Sequence, residues 1–216
     1  MDRKAYIYPI LADNPKDAIA AVKQHKQLYI AYQNWGVGSI LPKVEVKLGY
    51  TKEGLVLLFK VEEYESLARY CDTNDPVYKD SCVEFFFTTQ NDKNYYNFEF
   101  NAIGALLSQT GSSREDRIFA TASELSTIYR SCNYTLNKTM HNNAVLFIAQ
   151  WELGVFLPKE LLTKRNVNLQ AGNQIFANFY KCGDELKDPH YLSWNPVMSE
   201  TPNFHLPNFF ATLEFV

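Results

Sequence analysis

The chain is built largely from short segments in which apolar and polar residues alternate. Residues 43–50 place aliphatic side chains on one side of an extended chain and charged or small residues on the other. Successive side chains of a β-strand point to opposite faces, so this pattern is typical of a half-buried strand. A turn at residues 52–54 leads into the apolar segment 55–61, which predicts a β-hairpin.

Further segments of the same kind follow along the chain. Residues 83–88 form a nearly continuous apolar run, which is typical of a central strand buried on both faces. Other strands are predicted at residues 95–101, 105–108, 132–138, 144–152, 171–181 and 209–216. About nine or ten short strands joined by tight turns indicate an all-β, antiparallel sandwich or barrel.

Helical patterns are confined to two short segments. Residues 14–24 begin with Asn14 as a potential N-cap and Pro15 in the first turn. Residues 158–162 predict about one further helical turn. No repeat, linker or low-complexity tract divides the sequence, so a single domain over residues 1–216 is predicted, with residues 1–25 as an N-terminal extension that carries the first helix.

The charge pattern narrows the partners that the chain can have. The formal net charge is -3, and basic and acidic residues are mixed along the chain. A nucleic-acid-binding protein usually shows a basic stripe, and an anionic membrane attracts a polybasic patch. Neither feature is present, and no apolar run approaches the roughly 20 residues of a transmembrane helix. We therefore expect neither nucleic acid nor a membrane as a partner; the oligomeric state is not predicted.

The N-terminal residues lack the apolar run that a signal peptide needs. The expected location is cytoplasmic if Met1 is the natural start, and outside the cytoplasm if a signal has been removed.

Motifs for metal binding and catalysis are sparse. The four cysteines are widely spaced and form no CxxC pair, which favours unpaired thiols over a single disulfide, and the histidines lack ligand spacing. Residues 72–75 are rich in side-chain oxygens; they could hold Ca²⁺, but a plain turn is the favoured interpretation. The sequence has neither a GxSxG motif nor a phosphate-binding glycine loop. No metal, no cofactor and no enzymatic activity are predicted.

Two residues stand out as candidates for ligand binding. Trp194 lies in a proline-containing segment, 191–196, where it could stack on the apolar face of a sugar ring or plug one end of the core. Glu84 interrupts the apolar run 83–88, where an unpaired charge is costly. It is therefore either a structural carboxylate with a polar partner or a hydrogen-bond acceptor at the floor of a ligand site.

Three further residues are weaker candidates. Tyr78 precedes the Glu84 strand and could be a ligand platform or a lid over the core. Asn101 shares one side of its strand with Asn97 and Glu99, a side that we expect to face solvent unless it lines a site. Arg114, in a polar loop with Arg117, could reach a ligand or remain solvated.

Several motifs in order resemble one known family. Residues 77–86 (VYKDSCVEFF) are similar to the aromatic-x-Asp-Ser-x-Val-Glu strand of family 9 carbohydrate-binding modules and their DOMON-like relatives. Residues 95–104 are similar to the next strand of that family, which ends in Asn-x-x-Gly. The other matching segments, which resemble the form common in Bacteroidetes, are 151–158, 178–183, 193–196 and 204–207. The resemblance extends over roughly residues 26–216.

The resemblance implies an immunoglobulin-like, antiparallel β-sandwich that binds sugar without catalysis. It implies a terminal sugar of a mono- or oligosaccharide clamped between two aromatic rings, with polar side chains on its hydroxyls. The ring positions correspond to Tyr78 and Trp194, and Glu84 is the matching acidic residue. Tyr78 stands where a tryptophan is usual, which implies different stacking or ligand choice. Some modules of the family hold structural calcium, but its ligands cannot be matched in this sequence.

Two other functions compete with sugar binding. Some DOMON-like sandwiches bind haem through Met and His, for which Met198 with His205, or Met140 with a distant histidine, are the available ligands. Alternatively, the domain binds protein and its aromatic cleft is filled by its own loops. A glycosidase is the least favoured function.

Overall fold

The computed structural model of the chain describes residues 3–36, 40–90, 92–141 and 144–216, apart from the side chains at positions 140, 141, 144 and 145. Within these residues the fold is dominated by strands, as predicted. The strands are β1 Lys4–Pro9, β2 Gln27–Tyr29, β3 Tyr32–Trp35, β4 Lys43–Thr51, β5 Gly54–Glu63, β6 Cys82–Thr88, β7 Tyr95–Asn101, β8 Leu106–Gly111, β9 Ile118–Phe119, β10 Tyr129–His141, β11 Ala144–Pro158, β12 Gln174–Cys182, β13 Tyr191–Ser193 and β14 Ala211–Phe215. The helices are α1 Pro15–Val22, α2 Ala122–Ser126 and α3 Lys159–Thr163.

The strands form two curled layers, which confirms the predicted β-sandwich. The first layer has the order β10-β11-β5-β4, with β2 against β4, and its pairs are antiparallel. The second layer has the order β14-β12-β6-β7-β8-β9, with β13 against β12 and β3 against β13. The hairpin β4–β5 matches the predicted one, and β10 and β11 contain the predicted strands 132–138 and 144–152; residues 142–143 between them lie outside the described residues.

The N-terminal strand corrects two of the predictions. β1 pairs in parallel with β14 on one side and with β4 on the other, so it joins the two layers. The sheet is therefore mixed rather than purely antiparallel, and β1 is part of the sandwich rather than of an N-terminal extension. Ala5 and Ile7 of β1 point into the core and are buried, but two apolar positions are too short a pattern to predict a strand.

The main core fills the space between the two layers. Alternate residues of β6, namely Val83, Phe85 and Phe87, point into it. Phe85 stacks on Phe179 of β12 at a centroid distance of 5.2 Å, and Phe179 in turn contacts Phe59 of the first layer at 6.2 Å. Burial of these large rings supplies much of the apolar area that stabilises the sandwich.

Helix α1 covers the outer face of the first layer. Asn14 caps it by accepting a hydrogen bond from the Asp17 backbone N–H at 2.9 Å, as the sequence predicted. Its buried residues Ile19 and Val22 pack against a small apolar cluster that includes Phe156.

The outer face of the second layer is covered by loops and not by a helix. Phe86 and Tyr180 lie on this face and are buried beneath the C-terminal loop, where Phe204 stacks on Tyr180 at 4.0 Å. Where the loops do not meet, this face opens into a cavity. Among the described residues, no helix has the length and apolarity needed to cross a membrane.

Candidate functional site

The candidate site is an open cavity of about 610 Å³ on the outer face of the second layer. The strands β6, β7, β8 and β12 supply its floor, and the surrounding loops supply its rim. The lining residues from the floor are Glu84, Glu99, Leu107, Gln109 and Cys182. The lining residues from the rim are Asn74, Pro76, Tyr78, Arg114, Glu115, Arg117, Phe119, Asp184, Tyr191, Pro202, Asn203, Phe204 and His205.

Strand alternation places two carboxyl groups side by side on the floor. Glu84 of β6 lies directly opposite Glu99 of β7, and both point away from the main core. Their exposed fractions are only 2% and 4%. Glu84 Oε1 accepts a hydrogen bond from the Cys182 thiol at 3.0 Å, and Glu99 Oε1 accepts one from the Asn97 amide at 2.8 Å. Glu99 Oε2 is buried and has no hydrogen-bond partner within the described part of the chain.

The environment of these two groups disfavours their charged forms. Burial raises the pKa of Glu99 to about 7, although the Asn97 hydrogen bond and the nearby Arg117 charge act in the opposite direction. Burial also raises the pKa of Glu84, and the neighbouring Cys182 and Glu99 raise it further. None of the ion pairs found among the described residues involves either carboxylate. The floor thus places two buried carboxyl groups against the cavity, without an ion-pair partner among the described residues.

Aromatic rings stand at the rim. Tyr78 lies on a 3-10 turn, Val77–Lys79, and is 36% exposed. The turn is fixed against the loop after β12, because the Tyr78 carbonyl accepts the Asp184 N–H at 3.1 Å. Phe119 of β9 also lines the cavity and is 53% exposed. The sequence interpretation identified Tyr78 but missed Phe119, which lies in a two-residue strand without any recognisable pattern.

The two arginines of the loop after β8 differ in their surroundings. Arg114 lines the cavity and is exposed, so it can move to meet a ligand. Arg117 is held in place, because its guanidinium lies 4.1 Å from the Tyr95 ring centroid and donates to the Gly111 carbonyl at 3.0 Å. The structure therefore brings three of the predicted residues, Tyr78, Glu84 and Arg114, to one cavity.

Trp194 does not belong to this site, and the prediction of a platform there is wrong. Its side chain is 1% exposed and packs in the main core, with its ring 5.8 Å from the Phe179 ring. The Arg3 guanidinium lies 5.1 Å from its ring centroid. The Trp194 backbone N–H donates to the Phe179 carbonyl at 2.9 Å, which ties this segment to β12. Trp194 is thus the core plug of the alternative interpretation.

Asn101 is also a structural residue and not a ligand contact. It is fully buried, and its amide donates to the Tyr70 carbonyl at 2.8 Å and to Asp80 Oδ2 at 3.0 Å. Its side-chain oxygen accepts the Ala105 N–H at 2.9 Å. These bonds fix the turn after β7 and leave no free polar atom for a ligand. The expectation that the Asn97–Glu99–Asn101 side faces solvent is wrong, because the loops cover it.

The remaining alternatives find little support in the geometry. Asp75 Oδ2 accepts the Asp72 N–H at 2.9 Å, so residues 72–75 form the plain turn. His205 lines the cavity and bonds to the Tyr95 hydroxyl at 2.9 Å, while burial lowers the pKa of its imidazole to about 3. Met198 does not line this cavity, and the Met140 side chain lies outside the described residues. The pairing of Met198 with His205 around a haem is not supported.

The fold and the cavity together describe a β-sandwich with a ligand-sized opening on one sheet face. Comparison with protein families matches residues 15–215 to carbohydrate-binding family 9, and the chain belongs to this family. Carbohydrate-binding modules are non-catalytic, which agrees with the absence of a catalytic motif from the sequence.

Solved structures give the same fold. A protein from Bacteroides uniformis that carries a provisional assignment to carbohydrate binding is 30% identical, with a TM-score of 0.86 and full coverage of both chains. A family 9 module from Caldicellulosiruptor kristjanssonii in complex with glucose has a TM-score of 0.55 at 10% identity, over 99% of this chain and 96% of the other. The same kind of module with cellotriose has a TM-score of 0.54 at 9% identity, over 99% and 93%. No curated protein matches the chain.

Proposed function

We propose that the cavity binds a mono- or oligosaccharide and performs no catalysis. One observation carries the proposal: two buried carboxyl groups line the same cavity as exposed aromatic rings, and Glu99 Oε2 has no hydrogen-bond partner among the described residues. Sugar rings present C–H faces that pack on aromatic rings and hydroxyl groups that need polar partners. The family supports the same ligand class, since its neighbours hold glucose and cellotriose.

The roles of the residues follow from their positions. Tyr78 and Phe119 are the exposed rings, so they are the platforms in this proposal, and Phe119 takes the place that the sequence assigned to Trp194. Glu84 and Glu99 bind hydroxyl groups at the floor, because a buried carboxyl group gains most from a hydrogen bond that it otherwise lacks. Arg114 closes over the ligand from the rim.

Calorimetry with a sugar panel tests this proposal. Glucose, cellobiose and cellotriose are the first probes, and affinities between millimolar and micromolar, about 4–8 kcal/mol, are expected. We expect Tyr78→Ala and Phe119→Ala each to weaken binding by about 1 kcal/mol or more, because each removes a stacking surface. Glu99→Gln replaces one carboxyl oxygen with an amide NH₂ group and is expected to weaken binding by a similar amount.

The matched control is Tyr134→Ala, since Tyr134 is an exposed ring on β10 that does not line the cavity. Binding that is unchanged in both rim variants, or reduced equally in Tyr134→Ala, would contradict the assigned platforms. The absence of any heat across the panel with the unaltered protein would favour the protein-interaction alternative instead.

A further inference from the structure

Two cysteines that are far apart in sequence meet on the cavity floor. Cys82 of β6 and Cys182 of β12 lie directly opposite each other on neighbouring antiparallel strands. Glu84 follows Cys82 by two residues and therefore lies on the same face of β6. One ligand atom from each residue, two sulfurs and a carboxylate oxygen, falls within 4.8 Å of the other two. All three side chains are buried.

The partners of these three groups are one another and backbone carbonyl oxygens. The Cys182 thiol lies 3.0 Å from Glu84 Oε1 and 3.5 Å from the Tyr78 carbonyl oxygen, and the Cys82 sulfur lies 3.7 Å from the neighbouring Val83 carbonyl oxygen. The ammonium group of Lys181 belongs to the opposite face of β12, where it lies 2.9 Å from Glu63. A cation bound between the two sulfurs and the carboxyl group would displace their protons, since thiolate and carboxylate are the forms that bind metals.

The donor set selects a particular chemical class of cation. Thiolate sulfur suits borderline-soft ions such as Zn²⁺, whereas Ca²⁺ and Mg²⁺ take oxygen ligands. Zinc bonds of about 2.3 Å to sulfur and about 2.0–2.2 Å to oxygen place tetrahedral donors less than about 4 Å apart. The cluster meets this spacing with small side-chain movements. Three protein ligands also leave one coordination position open, as in zinc sites that bind water or a ligand.

We propose that Cys82, Glu84 and Cys182 form a binding site for a zinc-like divalent cation, with its open coordination position facing the cavity. Glu84 and Cys182 line the cavity, which gives the ion an entry path from solvent. The opposed thiols also fit a disulfide, but a disulfide would not use the carboxylate that completes the cluster. The site goes beyond sugar binding; it shares Glu84 with the proposed sugar site, but it can be tested without any sugar.

Cobalt titration of the full chain tests the site. The protein is stripped with a chelator, kept reduced with a phosphine and titrated with Co²⁺ as a spectroscopic probe. We expect one ion per chain, a thiolate-to-cobalt charge-transfer band and the visible bands of tetrahedral cobalt, all bleached by added Zn²⁺. The Cys82→Ser/Cys182→Ser variant is expected to lose these bands, and Glu84→Gln to weaken binding by about tenfold or more.

The matched control is Cys71→Ser/Cys132→Ser, because these two thiols are exposed and lie outside the cluster. We expect it to bind cobalt as the unaltered protein does. A titration without a charge-transfer band, a band that survives loss of both buried cysteines, or unchanged affinity in Glu84→Gln would each overturn the site.

Differential alkylation of the unaltered protein covers the case in which the serine variant does not fold. In mild denaturant, Zn²⁺ is expected to slow labelling of Cys82 and Cys182 but not of Cys71 and Cys132. Equal labelling with and without zinc would overturn the proposal. Recovery of a Cys82–Cys182 disulfide after removal of the reductant, from a protein that binds no cobalt when reduced, would also overturn it and assign a redox pair.

Discussion

The two faces of the second layer, β6, β7 and β12 among its strands, are lined by buried ionisable groups in opposite situations. On the core face, Lys181 lies 2.9 Å from Glu63 and bonds to the Cys182 carbonyl and to His190 Nε2, each at 2.9 Å. Glu63 also accepts the Trp151 indole N–H at 2.8 Å. On the cavity face, the carboxyl groups of Glu84 and Glu99 form no ion pair with any of the described residues.

This difference helps to distinguish buried ionisable groups that stabilise the fold from those that are positioned to bind a ligand. Lys181 and Glu63 form a buried ion pair on the core face, and removing either partner leaves an unpaired charge in the core. Charges that are buried without a cation, but beside open space, cost stability and are positioned to meet a ligand. We therefore expect substitutions on the two faces to change stability in opposite directions.

The largest effect is expected on the core face. Lys181→Met leaves Glu63 buried without its cation and should lower the free energy of unfolding by about 3–5 kcal/mol. Urea denaturation followed by circular dichroism measures this loss. The double variant Glu63→Gln/Lys181→Met removes both charges and is expected to recover part of it. A single variant as stable as the unaltered protein would break the distinction between the faces.

A second prediction concerns the cavity face, where neutralising a carboxyl group should stabilise the fold. Burial raises the pKa of Glu99 from 4.5 to about 7, so the native state holds this proton more tightly than the unfolded state does. That contribution to stability is complete below pH 4.5 and is lost as the pH rises through about 7. At a pH of about 8, Glu99→Gln is therefore expected to be more stable by about 3 kcal/mol.

Urea denaturation at the two pH values checks this prediction, and the gain should vanish near pH 4.5. A loss of stability in Glu99→Gln at high pH would mean that the carboxylate has a partner after all, and the cavity floor would then resemble the Glu63 cluster.

The smallest predicted effect is the pH dependence of stability that is due to His190 on the core face. Burial, together with the adjacent Lys181 charge, lowers the pKa of His190 from 6.5 to about 3. Above pH 6.5, neutral His190 makes its full contribution to the stability of the fold. This contribution is lost as the pH falls toward 3, because in that range the unfolded state binds a proton at His190 more readily than the native state does. When the pH is lowered from about 7 to about 4.5, the free energy of unfolding of the unaltered protein should fall by about 2–3 kcal/mol more than that of His190→Gln.

Parallel unfolding curves of the two proteins give the difference. Identical pH profiles would place the His190 ring in water and remove it from the Lys181 cluster.

Most of the fold could be predicted because many of its strands show a clear alternation of apolar and polar residues in the sequence. The hairpin of β4 and β5, the buried strand β6 and the cap at Asn14 were confirmed. Helix α2 was missed, although Thr121 and Glu124 form a capping box whose spacing is readable in the sequence. β1 was missed because its six residues offer too short a pattern.

The site could be predicted only in part, because it depends on register and on loops. Glu84 was recognised as an isolated charge in an apolar strand, and its cavity position agrees with that interpretation. The approach of Glu99 and Cys182 to it depends on which residues face each other across strands, which the sequence does not state. Trp194 was misplaced because a loop aromatic near a sheet can enter either face, and the backbone bond to Phe179 decides which.

The parallel pairing of β1 has a practical consequence for anyone who isolates this domain. The family match begins at residue 15, whereas β1 occupies Lys4–Pro9 and connects β14 to β4. A fragment trimmed to the matched region would leave two strands with bare hydrogen-bonding edges, which invite aggregation. An expressed fragment of this domain should therefore begin before Lys4, so that it includes all of β1.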